Sequence, residues 1–260
     1  TSFTGFNPLN VGYTFTKPII TKTAAYGWVV IVASGYNNGT GADNSGGDGV
    51  GYLWVLNART GEILQQISTG AGSAGTPSGL THLAGWTNNG NIDNTTTYVY
   101  SGDLLGNVWR FDLTDNTSPI NYTVKRLAKL RSGNLVTSSV QPITTVPELG
   151  EITPGGKRYI FVGTGQYLGT TDVDTNQTQT MYGLIDDLSV PASGDVIPDP
   201  IRGGTPVPLV QQTLTVSGTN RTLSTNTVTA SHKGWYIDLP GCSVGSCTKG
   251  SERINTDAAL

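Results

Sequence analysis

Histidine, cysteine and methionine are nearly absent from this chain, at two, two and one in 260 residues. Two thiols and two imidazoles are poor material for a structural zinc centre, and no His-rich cluster supplements them. Nucleophilic hydrolysis has little to work with either, because no serine stands in a G-x-S-x-G elbow. His82 sits in an alternating run and His232 precedes Lys233 at a strand entry, so both read as ordinary surface or barrel-lining imidazoles. Asp186 and Asp187 are adjacent, and on a strand adjacent carboxylates point to opposite faces instead of flanking a glycosidic bond. Charge is scarce too, at 13% of residues with a formal net of −3. The densest basic run, Lys125–Arg131, alternates charged with apolar residues as a solvated strand face does, so no nucleic-acid partner is expected. No apolar run reaches the roughly 18 residues of a membrane-crossing helix, so the chain is not expected to span a membrane.

What is abundant is glycine, 35 residues, together with Thr, Ser and Asn. Such a composition disfavours long helices and suits short strands joined by polar turns. The stretch Tyr98–Leu113 shows the pattern best: two alternating aromatic and aliphatic runs flank Gly102-Asp103-Leu104-Leu105-Gly106-Asn107, a strand, a tight turn and a second strand. Similar strand pairs recur, and they group into blade-like units at 18–68, 80–130, 140–187 and 209–240. Within these units the strands are expected at 18–23, 28–34, 51–57 and 62–68, then 80–86, 97–102, 107–113 and 122–130, then 140–146, 158–163 and 181–186, and last 209–217, 221–227 and 234–239. Long loops are expected at 35–50, 70–79, 168–179 and 188–208. An all-β, modified β-propeller of antiparallel four-stranded blades fits, with a β-sandwich as the alternative. Three or four blades do not ordinarily close a ring, so the chain is expected to be an incomplete part of a larger one. No signal peptide is visible at Thr1, which reads as a mature form or an excised piece.

Oxygen-rich loops are the most suggestive chemical feature. Asn89, Asn91, Asp93, Thr95 and Thr97 place side-chain oxygens at every second position, as a calcium loop does, although a single carboxylate would make a weak site. The alternative is an Asn/Thr-rich hairpin without metal. Asp172-Val-Asp-Thr-Asn176 and Asp43-Asn-Ser-Gly-Gly-Asp48 read as solvated turns. Gly70-Ala-Gly-Ser-Ala-Gly75 matches G-x-G-x-x-G, but Thr76-Pro77-Ser78-Gly79 follows where a nucleotide site needs a helix, so a flexible loop is expected and no cofactor. Cys242 and Cys247, separated by Ser-Val-Gly-Ser, read as a local disulfide formed in an oxidising compartment, against two free cytosolic thiols.

An ordered set of motifs runs from about Pro18 to Arg253. It comprises Gly35-Tyr36-Asn37, Gly51-Tyr-Leu-Trp-Val-Leu-Asn-Ala-Arg-Thr-Gly61, Tyr100-Ser-Gly-Asp-Leu-Leu-Gly-Asn-Val-Trp-Arg-Phe-Asp112, Gln141-Pro-Ile-Thr-Thr-Val-Pro147, Val162-Gly-Thr-Gly-Gln-Tyr-Leu168, Gln179-Thr-Met-Tyr-Gly183, Gly234-Trp-Tyr-Ile-Asp-Leu239 and Glu252-Arg253. Together they resemble the C-terminal propeller domain of the PilY/PilC-type proteins of bacterial type IV pili. The resemblance implies a non-enzymatic module at the pilus tip or outer-membrane surface, exported through the periplasm. It would support pilus assembly, attachment and twitching motility, with minor pilins of the tip complex and host or abiotic surfaces as partners. It also implies a calcium loop, D-x-[DN]-x-D-x-x-x-D, whose positions fall on Asn89, Asn91, Asp93 and Thr97; Asn89 and Thr97 depart from the acidic pattern.

Loops 35–50 and 168–179 are the candidate contact loops, and Trp54, Trp109, Phe111 and Trp235 are expected to pack between blades. A quinone-dependent dehydrogenase propeller and a carbohydrate-binding propeller unrelated to pili are the competing functions. The first is suggested by the strand and turn of Gly51–Gly61, but the adjacent cysteines of that enzyme class have no counterpart here.

Overall fold

Alternation of apolar and polar residues drives the N-terminal part of the protein into two antiparallel meanders. The computed structural model describes residues 5–40, 46–152, 156–241 and 250–257. The first meander is β1 (Ile19–Thr23), β2 (Gly27–Ala33), β3 (Tyr52–Asn57) and β4 (Ile63–Ser68), with Ile19 opposite Ile31 and Val32 opposite Trp54. The second is β5 (Leu83–Asn89), β6 (Asp93–Gly102), β7 (Asn107–Asp112) and β8 (Thr123–Lys129). One parallel pair, Lys22 with Thr95, links the meanders into an eight-stranded sheet. The Thr21 hydroxyl reinforces that seam by donating to the Asn94 carbonyl at 2.6 Å. These eight strands overlap those expected within 18–68 and 80–130, but β5 runs on to Asn89 and β6 begins at Asp93, within the segment expected as an oxygen-rich loop.

The protein divides into two compact units after Arg126, within β8. In the first, Val29, Ile31, Leu53, Val55 and Ile67 of one meander meet Leu83, Val99, Trp109 and Phe111 of the other in a continuous core. Trp109 and Phe111 thus pack between the meanders as expected. Trp54 does not. It lies between Leu53 and Val55 on the strand, so alternation turns it to the opposite face, where it meets Phe6 and Tyr52 with ring centroids 5.7 and 5.8 Å away.

The second unit is built on a five-stranded sheet in the order β12-β15-β11-β10-β9, where β9 is Glu148–Ile152, β10 Lys157–Gly163, β11 Thr180–Asp186, β12 Val210–Gln212 and β15 Gly234–Asp238. A separate hairpin joins β13 (Leu214–Ser217) to β14 (Asn220–Leu223). Residues 140–146 form no strand. Pro142 and Pro147 bring no N–H to a ladder, and the segment contributes a single bridge, Val140 with Arg131. The third strand neighbour comes instead from β9, whose Glu148 and Glu151 suit an edge. Gly234–Asp238, grouped from sequence with 209–240, pairs antiparallel with β11, Gly183 facing Trp235. A β-carbon on Gly183 would lie 2.5 Å from the indole, so the absent side chain is what lets Trp235 lie flat there. Trp235 therefore packs within its own sheet, against Gly183 and Phe161. Loop 188–208 is also more than decoration: Ile197, Ile201 and Arg202 are buried, and the Ile197 N–H donates to the Leu127 carbonyl.

Candidate functional site

The hairpin expected to hold calcium is closed at its tip but shifts register twice, between Trp86 and Thr87 and between Thr87 and Asn89. Asn89 ends β5 and pairs with Asp93, the first residue of β6, and the Ile92 N–H closes the turn on the Asn89 carbonyl at 3.1 Å. Asp93 Oδ1 accepts from the Thr95 N–H at 3.0 Å and from its hydroxyl at 2.7 Å. Beyond it the register shifts between Trp86 and Thr87, which leaves Thr97 as the extra residue of a β-bulge, its hydroxyl donating to the Trp86 carbonyl. The bulge breaks the alternation on which the spacing argument rested. An extended strand also carries Thr97 about 13 Å from Asp93, whereas ligands of one calcium ion lie within about 5 Å of one another. The five residues, with a single carboxylate among them, do not fit calcium as they are arranged. Among the described residues no three His, Cys, Asp or Glu side chains gather as metal ligands. Cys242 and Cys247 lie outside the described residues.

The strongest polar centre of the first unit is one the sequence analysis did not assign. Asp103, fully buried at 0% exposure, accepts five hydrogen bonds. Its Oδ1 takes the N–H groups of Leu105 and Asn107, and its Oδ2 takes Asn107 Nδ2, Trp109 Nε1 and the Ser78 hydroxyl. The Gly-Asp-Leu-Leu-Gly-Asn turn is thus wound around one carboxylate. Its position between two glycines in that turn was the available signal.

Loop 35–50 is tied down in the same manner at its described ends. Asp48 Oδ2 accepts from Asn10 Nδ2 at 2.9 Å and from the Tyr52 hydroxyl at 2.6 Å. Partial burial and the Asp48 carboxylate push the Tyr52 phenol up to about 12. The loop is sewn by its backbone to Gly70–Gly79, through Ser78 N–H to the Gly49 carbonyl and Thr40 N–H to the Ala74 carbonyl. The G-x-G-x-x-G sequence therefore packs as a loop, with Gly72 in the left-handed region against Gly49.

In the second unit a buried network joins Arg202, Tyr182, Gln141, Thr180 and Asp238. The guanidinium donates to the Tyr182 hydroxyl, to Thr180 Oγ1, to Gln141 Oε1 and, at 2.8 Å, to Asp238 Oδ1. It also lies over the Tyr236 ring, 4.3 Å from its centroid. Burial pushes the Tyr182 phenol well above its ordinary value, against the pull of Arg202. Burial alone would lower Arg202, but Tyr182 and Asp238 hold it above its usual range. The guanidinium is matched by acceptors on several sides, which makes the cluster a structural one.

Loop 168–179 carries a short 3-10 turn, Thr170–Asp174, and shows Leu168 to solvent at 52% exposure, with Tyr167, just before the loop, at 57%. Asp172 and Arg253 hold the loop's first half, with the Gly250 and Ser251 N–H groups on the Val173 and Thr175 carbonyls. Asp172 accepts from the Leu168 and Gly169 N–H groups and from Gln166 Nε2. The Arg253 guanidinium sits among backbone carbonyls, donating to those of Gln166 at 3.1 Å, Asp172 and Val173. Arg253 thus fills the oxygen-rich loop that the sequence showed as Asp172–Asn176. The motif Glu252-Arg253 was visible from sequence, but its partner was not. Asp186 caps the Leu188 N–H, while Asp187 pairs with Lys233. His232 accepts the Thr229 N–H on Nδ1 at 3.0 Å.

With these sites in place, comparison with known proteins is informative. Residues 5–227 match the family model of the PilY1 β-propeller domain. The type IV pilus biogenesis factor PilY1 homolog of Xylella fastidiosa is 33% identical over 230 residues, covering 88% of this chain and 16% of that protein. PilY1 of Pseudomonas aeruginosa is 30% identical over 267 residues, covering 88% of this chain and 21% of that protein. The sequence thus spans about a fifth of the length of these relatives. The crystal structure of the P. aeruginosa PilY1 C-terminal domain superposes with a TM-score of 0.72 at 25% identity, covering 96% of this chain and 54% of that one.

Proposed function

The chain belongs to the PilY1 β-propeller domain family, and from that premise we propose that it is a non-enzymatic module for type IV pilus biogenesis and tip adhesion. The observation that carries the reading is the match of residues 5–227 to that family, on a fold that superposes on a solved PilY1 domain. Relatives that bear the name of pilus biogenesis factors favour it over a quinone-dependent dehydrogenase or a pilus-independent carbohydrate binder. The module would act outside the cytoplasm, at the pilus tip or outer-membrane surface, with minor pilins and a host or abiotic surface as partners.

The mechanism fits the way the loops are held. A contact loop that is already ordered loses little conformational freedom on binding. Loop 168–179, pinned by Asp172 and Arg253, presents Leu168 in this way, with Tyr167 just ahead of it. A tyrosine on a fixed segment is the type of anchor that protein interfaces favour. The test is genetic. A strain lacking the parent gene should lose surface pili and twitching, and the wild-type gene should restore both. Replacing Tyr167 and Leu168 with Ala should leave pili assembled and reduce attachment. Unchanged piliation in the deletion strain would refute the assembly role, and unchanged attachment in the double variant would refute this loop as the contact.

A further inference from the structure

Two Asn-Gly steps occur in the sequence, Asn38-Gly39 and Asn89-Gly90, and the fold treats them in opposite ways. Asn-Gly is the dipeptide most prone to spontaneous deamidation, because glycine leaves its N–H open to attack on the preceding carboxamide. The reaction needs a side chain free to swing, a backbone free to follow, and water.

Asn38 has none of these. It is 0% exposed, and its Nδ2 donates to the carbonyls of Asn10 at 3.1 Å and Val50 at 2.7 Å. Gly39 is wedged so tightly that a β-carbon would fall 2.2 Å from the Ala74 carbonyl oxygen. Asn89 has the free side chain and the water, and its backbone is held only as the last pair of β5, by the Ile92 N–H on its carbonyl. It is exposed at the end of β5, followed by an exposed turn whose neighbour Ile92 is 84% exposed. Among the described residues its carboxamide makes no hydrogen bond, and the turn is closed by the Ile92 N–H, not that of Gly90.

We propose that Asn89-Gly90, at the tip of the β5–β6 hairpin, is a site of spontaneous deamidation in the folded protein, while the buried Asn38-Gly39 is protected. The Gly90 nitrogen attacks Asn89 Cγ, forming a new carbon–nitrogen bond. The Cγ–Nδ2 bond of Asn89 breaks, and ammonia leaves with the displaced proton. Water then opens the succinimide at either carbonyl, to aspartate or isoaspartate. Both products change the hairpin. Aspartate at position 89 sets a second carboxylate directly across from Asp93, a like-charge pair that weakens a ladder. Isoaspartate lengthens the backbone by one methylene at the last paired residue of β5. The tip of this hairpin therefore alters with the age of the molecule.

The native protein is incubated at mildly alkaline pH and digested, and peptides are weighed and separated, with a sample in concentrated urea alongside. In urea both Asn-Gly steps should convert. In the native protein only the Asn89 peptide should gain the mass of an amide-to-acid change, split between aspartate and isoaspartate, and Gly90→Ala should abolish most of that conversion. Persistence of the Asn89 amide in the native protein, conversion of Asn38 at the same rate, or unchanged conversion in the Gly90→Ala variant would each overturn the proposal.

Discussion

Single residues hold much of the order in this protein, and they are polar ones. Asp103 satisfies five donors in a site closed to solvent. Asp103→Ala strands those donors, and we expect a loss of about 3–5 kcal/mol, read as a fall in the midpoint of urea unfolding. Arg253 acts more locally. Arg253→Ala should speed hydrogen exchange in residues 167–175 with little change in global stability, and Arg253→Lys should recover part of the protection. No change in loop exchange would show that other contacts hold it. Two carboxylates add a pH dependence. Partial burial would raise Asp187, yet Lys233 and Ser189 hold it down to about 2. Asp172 is likewise lowered, its burial outweighed by the donors of Gln166, Leu168 and Gly169 and by Arg253. A carboxylate depressed by folding stabilises the fold above its unfolded value of about 4 and loses that contribution as pH falls through its folded value. Protection of loop 168–179, taken relative to the intrinsic exchange rate at each pH, should therefore fall as pH drops below about 4, and a flat profile would count against the Asp172 cap.

At the scale of elements, the hairpins were the legible part. β1 to β8 follow from alternation, because each strand pairs with a neighbour in chain order, and where the connection is short, as at Gly102–Asn107, the turn sets the register. Pairings across long separations were not legible. β15 finds β11 across a gap that holds three other strands, guided by the fit of Trp235 over Gly183. Gly183→Val should force the indole off the sheet and cost about 1–3 kcal/mol, seen as lost stability with altered tryptophan fluorescence; an unshifted emission would mean that the ring lies elsewhere. The absent strand at 140–146 has a related cause. Its apolar and Thr alternation looks like a strand, but Gln141 is spent on Tyr182 and Arg202, and the prolines decline the ladder.

For the molecule as a whole, the described polar loops are braced by its own side chains and backbone. Asp93 is spent on Thr95, and Arg253 occupies the carbonyls of loop 166–175. Calorimetric titration with calcium should then give the same heat for the wild type and for Asp93→Ala. A saturable calcium signal lost in the variant would show that the hairpin tip rearranges to bind it. Loops braced in this way also meet the demand for prearranged contacts in the proposed pilus role.

The sequence by itself determined the all-β class, the first two meanders and the family, because local alternation, turn chemistry and an ordered run of motifs are written along it. Tertiary structure alone decided which donors surround a carboxylate and which oxygens a guanidinium, where the bulge at Thr97 falls, and that Gly234–Asp238 joins the sheet of β11. Those outcomes depend on groups far apart in sequence competing for the same space and the same hydrogen bonds, and no local pattern records that competition.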